Sequence, residues 1–275
     1  MEYVDIDGVL IPVLGFGTVG IEGNDGLAAI RTALELGVRH LDTAQGYGNE
    51  DLVGLALKES GVPRDEVFLT TKCFRDRMHP NEIKTDFEAS LRKLQTDYVD
   101  MLLLHWPSQT IPFSDSLGAL VDLQRAGKTQ LIGVSNFTSD QLREVLEDVG
   151  ADVACNQIEY HCLLSQRHIL DVASRYDVMV TGYCPIARGR VLDEPVICAI
   201  ADDHGKTPAQ VALRWLVQQP HVAAIPKSNR EARVSENLDI FDFELTGEEM
   251  ISLDTLSERR ERLINHPWHP EWDTA

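Results

Sequence analysis

The chain has 275 residues and a net charge of −19 with a pI of about 4.8, so like-charge repulsion excludes nucleic acid and acidic membrane surfaces as partners. Hydrophobic residues make up 43%, enough for one large core, yet no apolar run is long enough to span a bilayer and Met1-Glu2-Tyr3-Val4-Asp5 lacks the basic-then-apolar order of a secretory leader. The cysteines (Cys73, Cys155, Cys162, Cys184 and Cys198) are odd in number and without metal or redox spacing, which predicts free thiols in a reducing cytoplasm; Lys72 beside Cys73 is the one setting that would favour a thiolate.

The predicted elements begin with a hairpin over 3–12, turning at Asp7-Gly8. Short apolar runs then alternate with amphipathic stretches. Candidate strands are 14–18, 38–42, 67–72, 98–105, 129–135, 153–158, 178–183 and 222–226. Several, such as Val99-Asp100-Met101-Leu102-Leu103-Leu104, are almost continuously apolar, as expected of parallel strands covered on both faces. Between them lie helices: Leu27, Ile30 and Leu34 recur at helical spacing in 26–36. Capping-box chemistry marks three further helix starts, Thr138-x-x-Gln141, Thr207-Pro208-Ala209-Gln210 and Thr246-x-x-Glu249. With no linker or repeat in sight, the expected fold is one (β/α)8 TIM barrel over 1–275, with an N-terminal β-hairpin and an extra C-terminal helix and loop. A doubly wound open sheet is the alternative. Against it, Gly15-Phe16-Gly17-Thr18-Val19-Gly20 has dinucleotide-fingerprint spacing, but Glu22 and Gly23 follow it rather than a helix.

In a barrel, chemistry gathers at the C-terminal ends of the strands. There the sequence places Asp42, Lys72 and His105, with Tyr47 in the loop after the second strand. A phenol is a poor acid near neutrality, and a nearby ammonium lowers its pKa. A carboxylate paired to the ammonium keeps it charged and placed, and a histidine can orient a substrate oxygen. Such a set can protonate a carbonyl oxygen while a nucleophile arrives from elsewhere. His105 has no second ligand at metal spacing, so no metal is expected.

At these residues the chain resembles the aldo-keto reductase family. Gly37 to Ala44, Gln45-Gly46-Tyr47-Gly48-Asn49-Glu50 and Asp51 to Gly54 resemble its first signature, with Val38 where Phe or Tyr is usual. Gly127-Lys128 followed by Leu131 to Phe137 resembles its second. Ile225-Pro226-Lys227-Ser228, Arg233 and Glu236-Asn237 resemble its third. The resemblance implies a catalytic tetrad of Asp42, Tyr47, Lys72 and His105, with Tyr47 as general acid, its pKa lowered by Lys72. It implies NADP(H) as cofactor. Gly17 and Thr18 would line its site, Ser135, Asn136 and Gln157 would hold the carboxamide, and Tyr183 would stack on the nicotinamide, with Pro185 and Ile186 beside it. Lys227, Ser228 and Arg233 would take the 2′-phosphate, and Glu236 and Asn237 the adenine. Cys184 stands where the family usually has Ser. The physical reading of Lys227, Ser228 and Arg233 agrees, since barrels commonly build a phosphate site after the last strand.

On the substrate side, Val19, Tyr47, Phe74, His105 and Trp106 are the candidate walls. A short loop after the fourth strand and Val19, where many members carry Trp, imply an open pocket like that of microbial diketogluconate reductases. The tail His266 to Trp272 either joins the wall or packs as structure. The expected partner is a small carbonyl compound, reduced to the alcohol, and the expected state is a monomer. Two other readings compete: a non-catalytic relative that binds NADPH without turnover, and a barrel isomerase or aldolase using Lys72 as a Schiff-base amine. The acidity and the ratio of 18 Arg to 7 Lys suggest a high-salt cytoplasm, where dense carboxylates hold water and salt screens their repulsion. On that reading the melting temperature rises as KCl is added; a flat or falling Tm contradicts it.

Overall fold

In the computed structural model, which describes residues 1–273, β1 (Tyr3–Ile6) and β2 (Val9–Pro12) form the expected hairpin. Ile6 faces Val9 across a two-residue turn. Asp7 and Gly8 both take positive φ (53° and 81°), as a type I′ turn requires, and Asp5 Oδ1 accepts the Gly8 N–H at 2.8 Å. The hairpin lies against Arg39, Asp65, Phe68 and Asp100, at the N-terminal end of the barrel and away from the site described below.

The rest alternates: β3 (Phe16–Gly17), α1 (Gly23–Glu35), β4 (His40–Asp42), α2 (Glu50–Ser60), β5 (Phe68–Cys73), α3 (Pro80–Leu94), β6 (Val99–Leu104), α4 (Phe113–Arg125), β7 (Thr129–Ser135), α5 (Ser139–Arg143), β8 (Cys155–Glu159), α6 (Arg167–Arg175), β9 (Met179–Tyr183), α7 (Pro195–His204), α8 (Pro208–Val217), β10 (Val222–Ala224), α9 (Glu231–Leu238) and α10 (Gly247–Ser257). Strands β3 to β10 pair in parallel, each with its sequence neighbour. The two edges then meet. Leu14 bridges Ala224 in parallel, Gly15 N–H donates to Ala224 O at 2.9 Å, and Ala224 N–H to Val13 O at 2.8 Å. The sheet thus closes into a TIM barrel. All eight predicted strands are present, and those predicted at 14–18, 38–42, 98–105 and 222–226 are shortened to 16–17, 40–42, 99–104 and 222–224. Pro226 has no N–H to extend β10, although its carbonyl still accepts from Gly17 at 3.0 Å.

All three predicted capping boxes form, at Thr138, Thr207 and Thr246. One expectation fails. A helix does follow Gly20, since α1 opens at Gly23 with Glu22 as its extended N-cap. Gly20 and Gly23 take positive φ (66° and 61°) and turn the chain sharply into it. The open-sheet alternative is excluded by the sequential strand order, not by the absence of that helix.

The helices pack closely on one another. A Cβ on Gly54 of α2 would lie 2.3 Å from Lys93 O and 2.6 Å from Leu94 C on α3, backbone atoms that cannot swing aside. Gly54→Ala is therefore expected to lower stability by about 3 kcal/mol, as overpacking does, read as a drop in denaturant midpoint at unchanged m-value.

Candidate active site

The fold brings the four sequence-predicted residues to one mouth. Asp42 ends β4, Lys72 is on neighbouring β5, and His105 follows β6. Tyr47 closes a short 3-10 turn, Gln45–Tyr47, after β4. Lys72 is 0% exposed and its ammonium donates to three acceptors: Asp42 Oδ1 at 2.5 Å, Thr43 O at 2.8 Å and Tyr47 Oη at 3.4 Å. The second Asp42 oxygen accepts from Gln157 Nε2 at 2.7 Å. The Tyr47 and His105 rings stand edge to face, 5.6 Å between centroids. Both are half-buried, above the buried ion pair.

Charge states follow from this packing. Burial opposes the Lys72 ammonium, but Asp42 and Tyr47 outweigh burial and the net shift is upward. Burial pushes the Tyr47 phenol above its ordinary value, more than Lys72 pulls it down. Lys72 lowers the phenol as expected, but burial outweighs it and the net shift is upward; the fixed Lys72 charge still favours the phenolate whenever the proton departs. Burial, reinforced by Lys72, Arg75 and His266, holds His105 well below its ordinary range, so it is a neutral hydrogen-bonding group. Cys73 is no thiolate, because burial drives its thiol far up. Cys155 and Cys162 are likewise buried and free, whereas Cys184 and Cys198 are only partly buried.

Beside the tetrad, Ser135, Asn136 and Gln157 interlock. Ser135 Oγ donates to Gln157 O at 2.8 Å, and Asn136 Nδ2 donates to Ser135 Oγ and to His105 O, both at 3.0 Å. Asn136 turns left-handed (φ 65°) at the end of β7, a conformation Asn tolerates. Tyr183 Oη donates to Asn136 Oδ1 at 2.7 Å. A continuous hydrogen-bonded chain therefore runs from Tyr183 to Asn136, Ser135 and Gln157, and on to Asp42 and Lys72. Its members and the Asp42–Lys72 pairing were legible in sequence; the links through Gln157, Ser135, Asn136 and Tyr183 were not.

Gly17 ends β3 beside Ile225, and Thr18 follows it. A Cβ on Gly17 would stand 3.0 Å from Ile225 O, and Thr18 Oγ1 donates to Asp42 O at 3.0 Å. Pro185 is buried and Ile186 half-buried in the loop after β9. Lys227 and Arg233 are exposed and Ser228 is buried, gathered around the start of α9. Arg230, which the sequence reading missed, is the N-cap of α9, and its N–H donates to Ser228 Oγ at 3.1 Å. Glu236 is already engaged, accepting from Thr207 Oγ1 at 2.7 Å, and Asn237 is half-buried beside it.

A sequence profile described as the Aldo/keto reductase family matches residues 13–258. The chain belongs to the aldo/keto reductase family. The glyoxal reductase of Bacillus subtilis is 40% identical, covering 92% of this chain and 91% of that one. The methylglyoxal reductase DkgB of Yersinia pestis is 40% identical over 96% of this chain and 99% of its own. Among solved structures, a putative 2,5-diketo-D-gluconic acid reductase B superposes with a TM-score of 0.96 at 46% identity, covering 100% of this chain and 98% of that one. The aldose reductase of Schistosoma japonicum superposes with a TM-score of 0.92 at 32% identity, covering 98% and 99%.

In this aldo/keto reductase the mouth is partly roofed by the tail. Val19 is 56% exposed and leaves its side open. Phe74 is half-buried, with its amide donating to Gln45 Oε1 at 2.8 Å. Trp106 is buried because the tail lies on it: its ring is 5.8 Å from His266 and 6.2 Å from Trp272. Arg75 sits over Trp268 at 3.8 Å. Of the two fates considered for the tail, packing as structure is the one observed, against Trp106 and Arg75. Its anchor, Glu159, escaped the sequence reading. Glu159 Oε1 and Oε2 accept the N–H groups of Leu263 and Ile264 at 2.7 and 2.8 Å, and His161 Nε2 lies 3.1 Å from Oε1. Burial opposes its charge, but these hydrogen bonds win and its carboxyl sits below the ordinary range.

Burial also holds His40 below its ordinary value. For both His40 and His105 the unfolded chain takes up a proton first, so stability falls as pH drops through 6.5. His105→Gln is expected to flatten the fall of Tm between pH 6.5 and about pH 5; an unchanged slope would mean that His105 titrates normally.

Proposed function

We propose that this protein is an NADP(H)-dependent reductase of small aldehydes and ketones, with Tyr47 as the general acid. The observation that carries the reading is the Lys72 ammonium, buried, fixed by Asp42 at 2.5 Å and reaching Tyr47 Oη at 3.4 Å. A carbonyl oxygen seated between Tyr47 and His105 takes a hydrogen bond from each, the neutral imidazole donating through one ring nitrogen. When bound, NADPH supplies the hydride that adds to the carbonyl carbon. As negative charge grows on the oxygen, Tyr47 gives up its proton and an alcohol results. Lys72 stabilises the phenolate left behind, and Asp42 keeps Lys72 charged and in place. Excluding water from the mouth strengthens each of these interactions.

The residues present fit the cofactor. Lys227, Arg230 and Arg233 have no carboxylate within salt-bridge distance among the described residues, so they are available to a phosphate. Ser135, Asn136 and Gln157 are preorganised beside the tetrad to hold a carboxamide, with the Tyr183 ring next to them. Lys227 and Arg233 favour NADP(H) over NAD(H), because only the former has a 2′-phosphate to reward them. Substrates named for the relatives, glyoxal, methylglyoxal and a diketo sugar acid, make α-dicarbonyls and keto sugars the first candidates. The open side at Val19 suits varied small carbonyls. Unpaired cysteines support a cytoplasmic protein, and we take it to be a monomer. The Schiff-base reading is disfavoured, because an ammonium donating to three acceptors has no free lone pair.

The test follows NADPH oxidation at high KCl over aldehydes, α-dicarbonyls and keto sugars, with NADH alongside. Tyr47→Phe is expected to lower kcat by about 10²–10⁴-fold with NADPH still bound. Arg233→Ala is expected to raise the NADPH Kd by ~10-fold or more while leaving NADH nearly unaffected. NADPH binding without turnover on any of these carbonyls would favour the non-catalytic reading instead.

A further inference from the structure

On the same C-terminal face, away from the tetrad, a cleft of about 230 Å³ lies between the tail and the start of α6. That is room for several waters, at ~30 Å³ each in the liquid. Ser165, Arg167, His168, Arg260, Arg262 and Trp272 line it. The charge here runs against the rest of the molecule. In a chain of net charge −19, most guanidinium groups find a carboxylate. Arg167 and Arg262 have none within salt-bridge distance among the described residues, and Arg260 reaches only Glu258, at 3.9 Å.

Arg262 is the least satisfied. Its guanidinium lies over the Trp272 ring at 3.7 Å, and its Nη1 is buried with no hydrogen-bond partner among the described residues. Buried polar groups are almost always paired, so an orphaned guanidinium nitrogen calls for a partner. The carboxylates nearby are committed elsewhere. Both oxygens of Asp273, which also lines the cleft, accept from Ser139. Both oxygens of Glu159 accept from Leu263 and Ile264. Helix α6 starts in the cleft without a side-chain cap, because the Gln166 side chain donates instead to Glu159 O at 2.6 Å. Its first-turn N–H groups add to the positive potential.

We propose that this cleft binds a phosphate-type oxyanion, either free inorganic phosphate or the phosphoryl group of a small metabolite. Arg262 and Arg260 from the tail and Arg167 from α6 hold it. A tetrahedral dianion has enough oxygens to satisfy donors arriving from several directions, which a lone carboxylate has not. Because its ligands come from two segments, the anion fastens the tail to the barrel. It binds only where those segments are together, so it stabilises the roofed mouth by mass action. The inference concerns the tail and does not depend on the chemistry at Tyr47.

The experiment is calorimetric titration of the full-length protein with inorganic phosphate and, separately, glycerol 3-phosphate, at ionic strength held constant with KCl. It is run in Arg233→Ala, to silence the other phosphate-binding candidate, and in that background with Arg167→Gln or Arg262→Gln added. Arg167 is exposed, so its replacement leaves the fold intact. The expected result is one site in Arg233→Ala whose Kd rises by about tenfold or more with either added substitution. Amide exchange at Leu263 and Ile264 is expected to slow as phosphate is added. Tighter binding of the ester marks a metabolite as the ligand; equal affinity marks the free ion; either supports the site. No binding in Arg233→Ala, or an affinity indifferent to Arg167→Gln and Arg262→Gln, overturns the proposal.

Discussion

The Asp42–Lys72 ion pair is the constraint around which the barrel mouth is organised. Two unit charges inside a barrel lose their hydration, a penalty of several kcal/mol per ion that attraction alone repays only when the geometry is good. Here the hydrogen bonding is close to complete. The ammonium has an acceptor for each of its three protons, and the carboxylate is bound by the ammonium on one oxygen and by Gln157 on the other. The pair thereby reaches across the barrel. Gln157 is on β8, four strands from β4 in the sheet, so its hydrogen bond to Asp42 ties opposite walls together. A charge deleted from such a pair leaves its partner buried and unpaired, typically at a cost of ~3–5 kcal/mol.

The same arrangement bears on the role proposed for Tyr47 as general acid. Desolvation lifts its pKa more than Lys72 depresses it, so the proton is present when a substrate arrives. Lys72 is held close enough to compensate the phenolate afterwards. A phenol lowered to neutrality would be a stronger acid, but only half of the molecules would hold the proton at rest. Placement of a fixed cation, rather than a standing shift in pKa, is what this geometry provides.

How much was legible in the sequence follows from the range of the interactions involved. The strands were readable because parallel strands buried on both faces need continuous apolar runs, and the helix starts because Thr-x-x-Gln and Thr-x-x-Glu cap within four residues. The tetrad was readable because strand ends in a barrel share one mouth, and the resemblance assigned their roles. Long-range interactions were not readable. Glu159 looked like one carboxylate among many until the fold set Leu263 and Ile264 against it, 104 and 105 residues on. Arg262 is unremarkable within Ser257-Glu258-Arg259-Arg260-Glu261-Arg262, and only packing distinguishes it from Arg259, which pairs with Glu194 at 2.7 Å. The helix expected over 26–36 starts three residues earlier, a start that was missed because glycine usually ends helices, whereas here Gly23 follows an extended Glu22 and opens one.

The excess of acid bears on how this protein handles anions. At low salt a net charge of −19 repels an anionic cofactor over tens of ångströms, the Debye length being about 30 Å at 0.01 M. In molar salt that length is ~3 Å, and long-range repulsion is lost together with long-range steering. Contacts within hydrogen-bond distance then decide what binds. Guanidinium groups keep more of their hold there than ammonium groups, because two directed hydrogen bonds to an oxyanion depend less on net charge than a point contact does. Arg230 and Arg233 at the start of α9, and Arg167 and Arg262 at the start of α6, are groups of that kind. An acidic surface and the two proposed arginine-based anion sites are therefore compatible in one molecule, the first governing hydration and the second acting only at contact.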